Sequence, residues 1–557
     1  MMDRRGFLAA SAATAAFPAE LARAEPSGVV DLIVINANVI TVDPGLPRAE
    51  AFAVANGRIV RVGSTRAIRQ LAGGETLIAE GRGRTVVPGF NDPHMHPRPI
   101  YTPDSPYEPV DLSPDRAPTI DAMIAALKAK AAITPAGMWV IGRGYNDAKL
   151  GRHPTRFDLD QASTDHPIRV THASGHVSVV SSLVLKNAGV GAETADPAGG
   201  AFDRDSTGAP NGVVRESASR AAMHGNPPVQ QASADEQAQG LRRCLQSFAA
   251  RGITSVGVAG GGPEQFALFQ TIAADAPVRV GFMFLEPHFT AVRDLGLRPG
   301  FGDERLRLTS IKLFHGNSLS GRTCWLSEAY SDRPGYFGIP PARSQEDLDK
   351  LIADIHAAGF QVAVHSNGDR EIEMVLTAIE RAQASAPRAD ARHRIEHCSV
   401  TTPLILDRTK RAGVVAVFHS YMREHGDELA SYGSARLEHI HPFRTAIDMG
   451  INCACHSDWP VSAFDPLTRL QDLVTRRGGN GAVYGPSQRI TADEALAAIT
   501  ARPAFATHEE TIKGSIKRGQ LADFVILGAD PTRTDPNAIA SIPVEATYLG
   551  GMKQAIR

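Results

Sequence analysis

Short apolar segments alternate with amphipathic helices along most of this chain, and this alternation constrains the fold more than any other feature. The stretch 344–359 shows the helical part of the pattern, since Ser344 and Asp347 form a capping-box arrangement and Gly359 ends the apolar face. We predict strands at 85–90, 252–258, 278–285, 306–314, 361–365, 393–397, 414–418 and 451–457. Strands that alternate with helices in this way predict an α/β fold, a (β/α)8 TIM barrel.

Both ends of the chain show a different pattern, of short strands and tight turns. Asn56-Gly57 lies between two apolar runs, which is typical of a two-residue hairpin. Residues 522–527 and 544–549 are further predicted strands near the other end. We therefore predict a small composite β-sandwich domain formed from residues 27–88 and 507–557, beside a barrel at residues 89–506.

A long insertion, residues 98–235, follows the first predicted barrel strand. It contains a predicted amphipathic helix at 119–133 and strand-like pieces at 139–142 and 168–171. Loops that follow barrel strands lie at the catalytic end of a TIM barrel. We therefore expect the insertion to cover the substrate pocket.

Residues 1–24 have the pattern of a twin-arginine signal peptide. The letters RRGFL at residues 4–8 precede an Ala-rich stretch, and ARA at residues 22–24 offers a cleavage site between small residues. This pattern predicts transit through the twin-arginine (Tat) export machinery and a periplasmic or otherwise exported location. The alternative is a disordered Ala-rich leader.

The composition excludes several classes of partner. The 557 residues carry a formal net charge of −2, which points neither to nucleic acid nor to a membrane surface. We expect no membrane span, because no apolar run approaches the roughly 20 residues that cross a bilayer. The five cysteines are scattered and odd in number, so they predict no disulfide framework. The expected partner is a small-molecule substrate.

Metal-ligand side chains recur at the carboxyl ends of the predicted strands, where active sites of such barrels lie. His94 and His96 are two residues apart, so on an extended segment their imidazoles point the same way. Later strands end in further candidates: Lys312, His365, His397 and Asp458. Converging imidazole nitrogens with a carboxylate predict a divalent metal site.

Seven phrases in this order resemble the amidohydrolase superfamily, and within it the metal-dependent hydrolases of the amidohydrolase-3, or YtcJ-like, group. They are VVPGFNDPHMH, VTHASGHVSVVSS, IKLFHGNSLSGRT, VAVHSNGDREIEMVL, HRIEHC, HSDWPVSAFDPL and GSIKRGQLADFVIL. The resemblance implies two Zn²⁺ ions, with His94, His96 and Asp458 on one and His365 and His397 on the other. It also implies a carboxylated Lys312, formed with CO2, as the bridging ligand, and it gives weak guidance toward a homodimer.

The chemistry of a buried lysine supports Lys312 independently. Desolvation lowers the pKa of the amine, and the neutral amine reacts with CO2 to form a carbamate. An ammonium paired with a carboxylate is the alternative. The chain departs from the group at His315-Gly316-Asn317, where an aspartate usually follows the lysine. A site with one metal ion and no carbamate therefore stays open.

The predicted reaction is hydrolysis of a C–N bond in an amide, formamide or carbamate. A metal-activated hydroxide would attack the carbonyl, and Asp458 would act as the general base. Esters and lactones, a non-hydrolytic decarboxylase or isomerase, and a non-catalytic barrel are the alternatives. The candidate substrate contacts are His172, His176, His315 and Asn317, although His172 and His176 are equally typical of structural loop residues.

Overall fold

A computed structural model of the protein describes residues 30–426 and 428–555, so the predicted leader lies outside the described part. Strands β1–β7 are Leu32–Ile35, Asn38–Ile40, Arg48–Ala49, Ala51–Ala55, Arg58–Gly63, Leu77–Glu80 and Thr85–Pro88; β8 is Phe90–Met95. Strands β9–β14 are Val110–Asp111, Val140–Tyr145, Ile168–His172, Val177–Val180, Gly200–Arg204 and Pro210–Glu216. Strands β15–β21 are Ile253–Gly261, Arg279–Leu285, Leu306–Phe314, Gln361–Ser366, Arg394–His397, Val415–His419 and Cys453–His456; β22–β24 are Phe524–Leu527, Val544–Leu549 and Met552–Lys553.

Helix α1 is Thr65–Arg69. Helices α2–α6 belong to the insertion: Ile120–Ile133, Asp147–Leu150, Arg156–Asp160, Ser182–Asn187 and Ser217–Met223. Helices α7–α18 are Ala234–Ala249, Pro263–Ile272, Phe289–Asp294, Gln345–Ala357, Asp369–Ser385, Pro403–Arg411, Met422–His425, Ser434–Leu437, Phe443–Asp448, Pro466–Thr475, Ala492–Ala498 and Ala501–Ala506. Short 3₁₀ turns are Ala273–Asp275, Glu286–His288, Glu428–Tyr432, Pro486–Gln488 and Ile539–Ser541.

The barrel prediction is confirmed. Within the described residues, eight parallel strands form one sheet in the order β21-β20-β19-β18-β17-β16-β15-β8. Helices such as α10 and α11 pack apolar side chains, including Ile355 and Leu376, onto the outside of this sheet. Helix α10 begins as predicted, because the Ser344 hydroxyl accepts the Asp347 N–H at 3.1 Å.

The first predicted barrel strand was wrong in its boundaries. Residues 85–90 were read as one strand, but Thr85–Pro88 pairs with β22 in another sheet. The barrel strand begins only at Phe90, which pairs with Ile253 of β15. The chain changes sheets at Gly89, where a Cβ atom would lie 2.1 Å from the Thr254 hydroxyl, so only glycine fits.

Polar contacts join the two edge strands of the barrel, β8 and β21. The Asp458 N–H donates to the His94 carbonyl at 3.1 Å, and the His96 N–H donates to the Trp459 carbonyl at 2.8 Å. Below them the buried Asp92 carboxylate accepts a hydrogen bond from Arg469 at 2.5 Å. Closure of the barrel therefore brings the His94-Met95-His96 stretch beside Asp458, although more than 350 residues separate them in sequence.

The terminal segments build a sandwich of two sheets, as predicted. One described sheet has the order β5-β4-β1-β6, and the other has the order β24-β23-β22-β7-β2-β3. Val525 from the far end pairs with Val87, and Phe524 packs edge-on against Phe52 at 5.0 Å between ring centres. The predicted turn is present, with Asn56 at φ +51° and Gly57 at φ +70°.

The insertion forms a separate sheet with its own apolar core. Its order is β13-β14-β12-β11-β10-β9 in the described chain, and α2 confirms the helix predicted at 119–133. Strands β10 and β11 confirm the predicted pieces at 139–142 and 168–171. Asp147 accepts a hydrogen bond from Arg322, and Glu216 accepts one from Thr323, each at 2.5 Å. These contacts hold the insertion against the loop that follows β17.

No helix in the described ranges combines the length and apolar character needed to cross a bilayer.

Candidate active site

Three side chains converge where strands β8, β19 and β21 end. One ligand atom each from His94, His397 and Asp458 lies within 4.8 Å of the other two, and all three residues are buried. The Asp458 Oδ1 atom is 3.1 Å from the Nε2 atoms of both His94 and His96. That oxygen has no hydrogen bond of good geometry with any described residue. These atoms therefore face a common point rather than each other, as the ligands of a metal ion do.

A buried carboxylate orients His94. The His94 Nδ1–H donates to Glu396 Oε2 at 2.5 Å, and Arg394 binds both Glu396 oxygens at 2.7 and 2.8 Å. Burial opposes the charge of Glu396, but Arg394 and His94 outweigh it and hold its pKa well below the ordinary value. Because an ionised carboxylate can only accept, the lone pair of His94 is placed on Nε2, toward Asp458.

Lys312 is a fully buried lysine whose Nζ atom lies 5.0 Å from the centre of the Phe314 ring. Its Nζ atom has no hydrogen bond from any described residue, and no described carboxylate forms an ion pair with it. Burial lowers the pKa of Lys312 to about 8, although Glu396 and Asp458 oppose the shift. The lack of an ion pair within the described chain argues against the alternative of a paired ammonium, and a pKa of about 8 leaves a reactive neutral fraction of the amine near neutral pH.

His365 adjoins the same group. Its ring centre is 4.6 Å from that of His397, and its Nε2–H donates to the Asn317 carbonyl at 3.0 Å. In this tautomer the lone pair is on Nδ1. Burial lowers the pKa of both histidines well below the ordinary value, so both stay neutral and able to bind a metal ion.

Two residues of this group have unusual backbone conformations. His397 has φ +69° and Asp458 has φ +56°, a backbone region that residues other than glycine seldom adopt. Strict alternation along β19 would turn His397 away from the face of Glu396, yet both side chains belong to the site. The positive φ marks where the chain leaves that alternation, which is the kind of strain found at functional sites.

The donor set fits a metal centre. It consists of neutral imidazoles, an ionised carboxylate and an unpaired amine at the ends of barrel strands. Burial raises the pKa of Asp458, but the attraction of His94 and His397 outweighs it and holds that pKa well below the ordinary value. Of the other predicted ligands, His96 adjoins Asp458 and His365 adjoins His397, whereas Lys312 is near enough to Asp458 for its charge to affect the lysine.

The insertion contributes two histidines to the site. His176 stacks on His365 at 4.8 Å between ring centres, and its Nδ1–H donates to Glu216 at 2.7 Å. His172 Nε2 is 3.2 Å from Asp147. A cavity of about 1130 Å³ is lined by both histidines and by the metal-ligand group. The insertion therefore lies over the site, as expected.

The other two predicted substrate contacts, His315 and Asn317, lie in the loop that follows β17. Neither His315 nor Asn317 contributes to the wall of the cavity as far as the chain is described. The Asn317 amide donates to the Ile339 carbonyl at 2.5 Å, so its side chain holds the loop that follows β17. Burial lowers the pKa of His315 to about 4, which keeps that ring neutral.

Sequence reasoning missed residues that support the ligands. Glu396 is within the HRIEHC phrase, two residues from Arg394, and that spacing places both on one face of a strand. Glu216 has no comparable signal, because its partner His176 is 40 residues away. His456 was also missed; its ring stacks on His94 and on His419, each at 4.7 Å.

Comparison with known proteins identifies the class to which this fold and site belong. The model described as "Amidohydrolase family" matches residues 81–552. The chain therefore belongs to the amidohydrolase family, whose members are hydrolases, and the resemblance seen in the sequence is confirmed.

Individual relatives match over nearly their whole length. N-substituted formamide deformylase from Arthrobacter pascens is 28% identical over 543 residues, covering 94% of this chain and 98% of the relative. The putative amidohydrolase YtcJ from Bacillus subtilis (strain 168) is 28% identical over 522 residues, covering 90% and 95%. A solved structure, an uncharacterized metal-dependent hydrolase from Pyrococcus furiosus, has a TM-score of 0.68 at 23% identity and covers 90% of this chain and 100% of its own. At that identity the structure supports the fold alone.

Glu396→Gln is expected to weaken metal binding about 10- to 100-fold, because a neutral amide holds His94 less firmly in the tautomer that binds metal. Competition with a chelator measures this affinity, and Glu346→Gln, an exposed change, serves as the control. Unchanged affinity in Glu396→Gln would show that Glu396 does not orient a ligand.

Proposed function

We propose that this protein is a metal-dependent hydrolase that cleaves the C–N bond of an amide, formamide or carbamate. The observation that carries the proposal is the convergence of His94, His397 and Asp458 beside the unpaired amine of Lys312. Formamides are the first substrates to test, because one relative is named as an N-substituted formamide deformylase.

The metal content that we propose is two Zn²⁺ ions. His94, His96 and Asp458 would hold one ion, His365 and His397 the other, and a carboxylated Lys312 would bridge them. When bound, such ions acidify water and polarise a carbonyl group.

Asp458 is the proposed proton carrier. Its carboxylate is ionised and its Oδ1 atom has no hydrogen bond from the described chain. Asp458 would accept a proton from the attacking water and then deliver it to the leaving amine.

His176 is the proposed contact for the substrate carbonyl. Glu216 holds its Nδ1–H at 2.7 Å, so the Nε2 atom of the same ring is available to the cavity. From its place over His365 this ring would orient the carbonyl oxygen, and His172 would contact the substrate further along the insertion.

Matched substrates test the reaction. Zinc-loaded protein is expected to hydrolyse N-phenethylformamide to formate and phenethylamine, and metal-stripped protein is expected to lose this activity. N-phenethylacetamide, methyl N-phenethylcarbamate and phenethyl formate separate formamide, amide, carbamate and ester cleavage. Cleavage of the ester alone would overturn the C–N assignment, and no hydrolysis of any probe would overturn the proposed class of reaction.

A further inference from the structure

Arg143 places an unpaired cation in the wall of the active-site cavity. It lies on β10 of the insertion, and solvent reaches its side chain through that cavity. Among residues 30–426 and 428–555, its guanidinium has no hydrogen-bond or ion-pair partner. An arginine fork pairs best with the two oxygens of a planar anion, so this side chain has an unused binding capacity.

The carboxylates near Arg143 have other partners. Glu108 accepts hydrogen bonds from Arg98 at 3.1 Å and from the Tyr101 N–H at 2.6 Å. Asp111 is opposite Arg143 on β9, but its carboxylate accepts the Ser113 N–H at 3.0 Å and forms no ion pair with Arg143. The protein therefore leaves the charge of Arg143 to a ligand.

Two further arginines lie near Arg143. Partial removal of the guanidinium from water, together with the neighbouring Arg98 and Arg169, lowers the pKa of Arg143 to about 10 against the opposing effect of Glu108. The side chain stays protonated at neutral pH. An anion that enters this part of the cavity therefore meets a charged guanidinium.

Arg143 and the metal-ligand histidines line the same cavity. Arg143 is in register with Thr171 of β11, and the chain then turns through residues 173–175 to His176. His176 stacks on His365. A substrate whose reacting carbonyl is near His365 would extend along this path toward Arg143, and a cavity of about 1130 Å³ has room for it.

We propose that Arg143 binds a carboxylate of the substrate, so that the substrates are amides or formamides that carry a carboxylate, of the N-formyl or N-acyl amino acid type. This inference rests on the proposed hydrolase function. It assigns Arg143 the role of selecting a carboxylate on the amine side of the scissile bond.

Two formamides that differ by one carboxylate test the proposal. N-formyl-phenylalanine is N-phenethylformamide with a carboxylate added, and N-formyl-phenylalaninamide is its neutral counterpart. The parent protein is expected to favour the acid in kcat/KM. Arg143→Met is expected to lower the ratio of kcat/KM for the acid over the neutral amide about 10- to 100-fold, the range of a charge-assisted hydrogen bond. For Arg143→Lys, this ratio is expected to lie between those of the parent protein and Arg143→Met.

The control variant is Arg116→Met, which removes an exposed arginine of the insertion that does not line the cavity. It is expected to leave the ratio unchanged, which excludes a general effect of net charge. An unchanged ratio in Arg143→Met would overturn the assignment while hydrolysis of N-phenethylformamide still supported the proposed function.

Direct binding gives a second measurement that does not depend on turnover. Calorimetry with 3-phenylpropanoate and 3-phenylpropanamide compares a carboxylate with its neutral counterpart. Arg143→Met is expected to weaken binding of the carboxylate about 10- to 100-fold and Arg116→Met is expected to leave it intact. Equal affinity in the parent and Arg143→Met would overturn the proposal, even if no formamide is hydrolysed and the proposed function fails.

Discussion

Asp458→Asn is expected to lower kcat by about 10²- to 10⁴-fold, the contribution of a well-placed proton carrier. The amide keeps the shape of the carboxylate but cannot accept the proton of the attacking water. Asp458 suits this role because its Oδ1 is 3.1 Å from both His94 and His96 and has no hydrogen bond of good geometry with the described residues. The measurement is kcat on N-phenethylformamide with the metal content of the same sample.

Measuring kcat and metal content together distinguishes a proton-carrying Asp458 from one that only binds the ion. A large fall in kcat with the metal retained supports the general base, whereas loss of metal assigns Asp458 to binding the ion. Asp448→Asn, an exposed change on α15, is the matched control and is expected to behave as the parent. Asp458→Asn with full turnover and full metal content would contradict the mechanism.

Lys312→Ala is expected to lower the bound metal from about two equivalents to about one or fewer and to abolish most hydrolysis. The reason is that Lys312 is the one buried amine at the ligand group, and a carbamate on it would supply oxygens to both ions. Plasma mass spectrometry gives the metal content of the parent and variant. Lys410→Ala, an exposed lysine on α12, is the control.

A small acid separates a missing ligand from a damaged fold. Acetate or formate added to Lys312→Ala is expected to restore part of the metal content, because its carboxylate takes the place of the carbamate. The parent protein, supplied with ¹³C-labelled bicarbonate, is expected to show a carbamate carbon that Lys312→Ala lacks. About one equivalent of metal in both proteins would assign a single-ion site, in keeping with the unusual His315-Gly316-Asn317 stretch.

The strands and the ligand set were readable from the sequence because they depend on local rules. Apolar periodicity and capping residues such as Ser344 belong to segments of a few residues, and barrel topology then places all strand ends at one rim. Each of these candidate ligands ends or follows a predicted strand: His94, His96, His365, His397 and Asp458. Their assembly therefore followed from the fold class alone.

The boundary of the first barrel strand required the tertiary structure. Residues 85–90 were predicted as one strand, and only the pairing of Thr85–Pro88 with β22 and of Phe90–Met95 with β15 assigns the two parts to different sheets. The local sequence does not identify the partner strands, since Val525, which pairs with Val87, is more than 400 residues away.

The sequence by itself determined the fold class and the group of candidate metal ligands. Only the tertiary structure decided how these residues are oriented and what surrounds them. Glu396 accepts a hydrogen bond from His94, and Glu216 accepts one from His176. The Lys312 amine has no hydrogen bond from the described residues, and Arg143 lines the same cavity as the ligands. The physical reason is the range of the interactions. Strand and helix patterns arise from neighbours along the chain, whereas tautomers, buried charges and unpaired cations depend on contacts between distant segments.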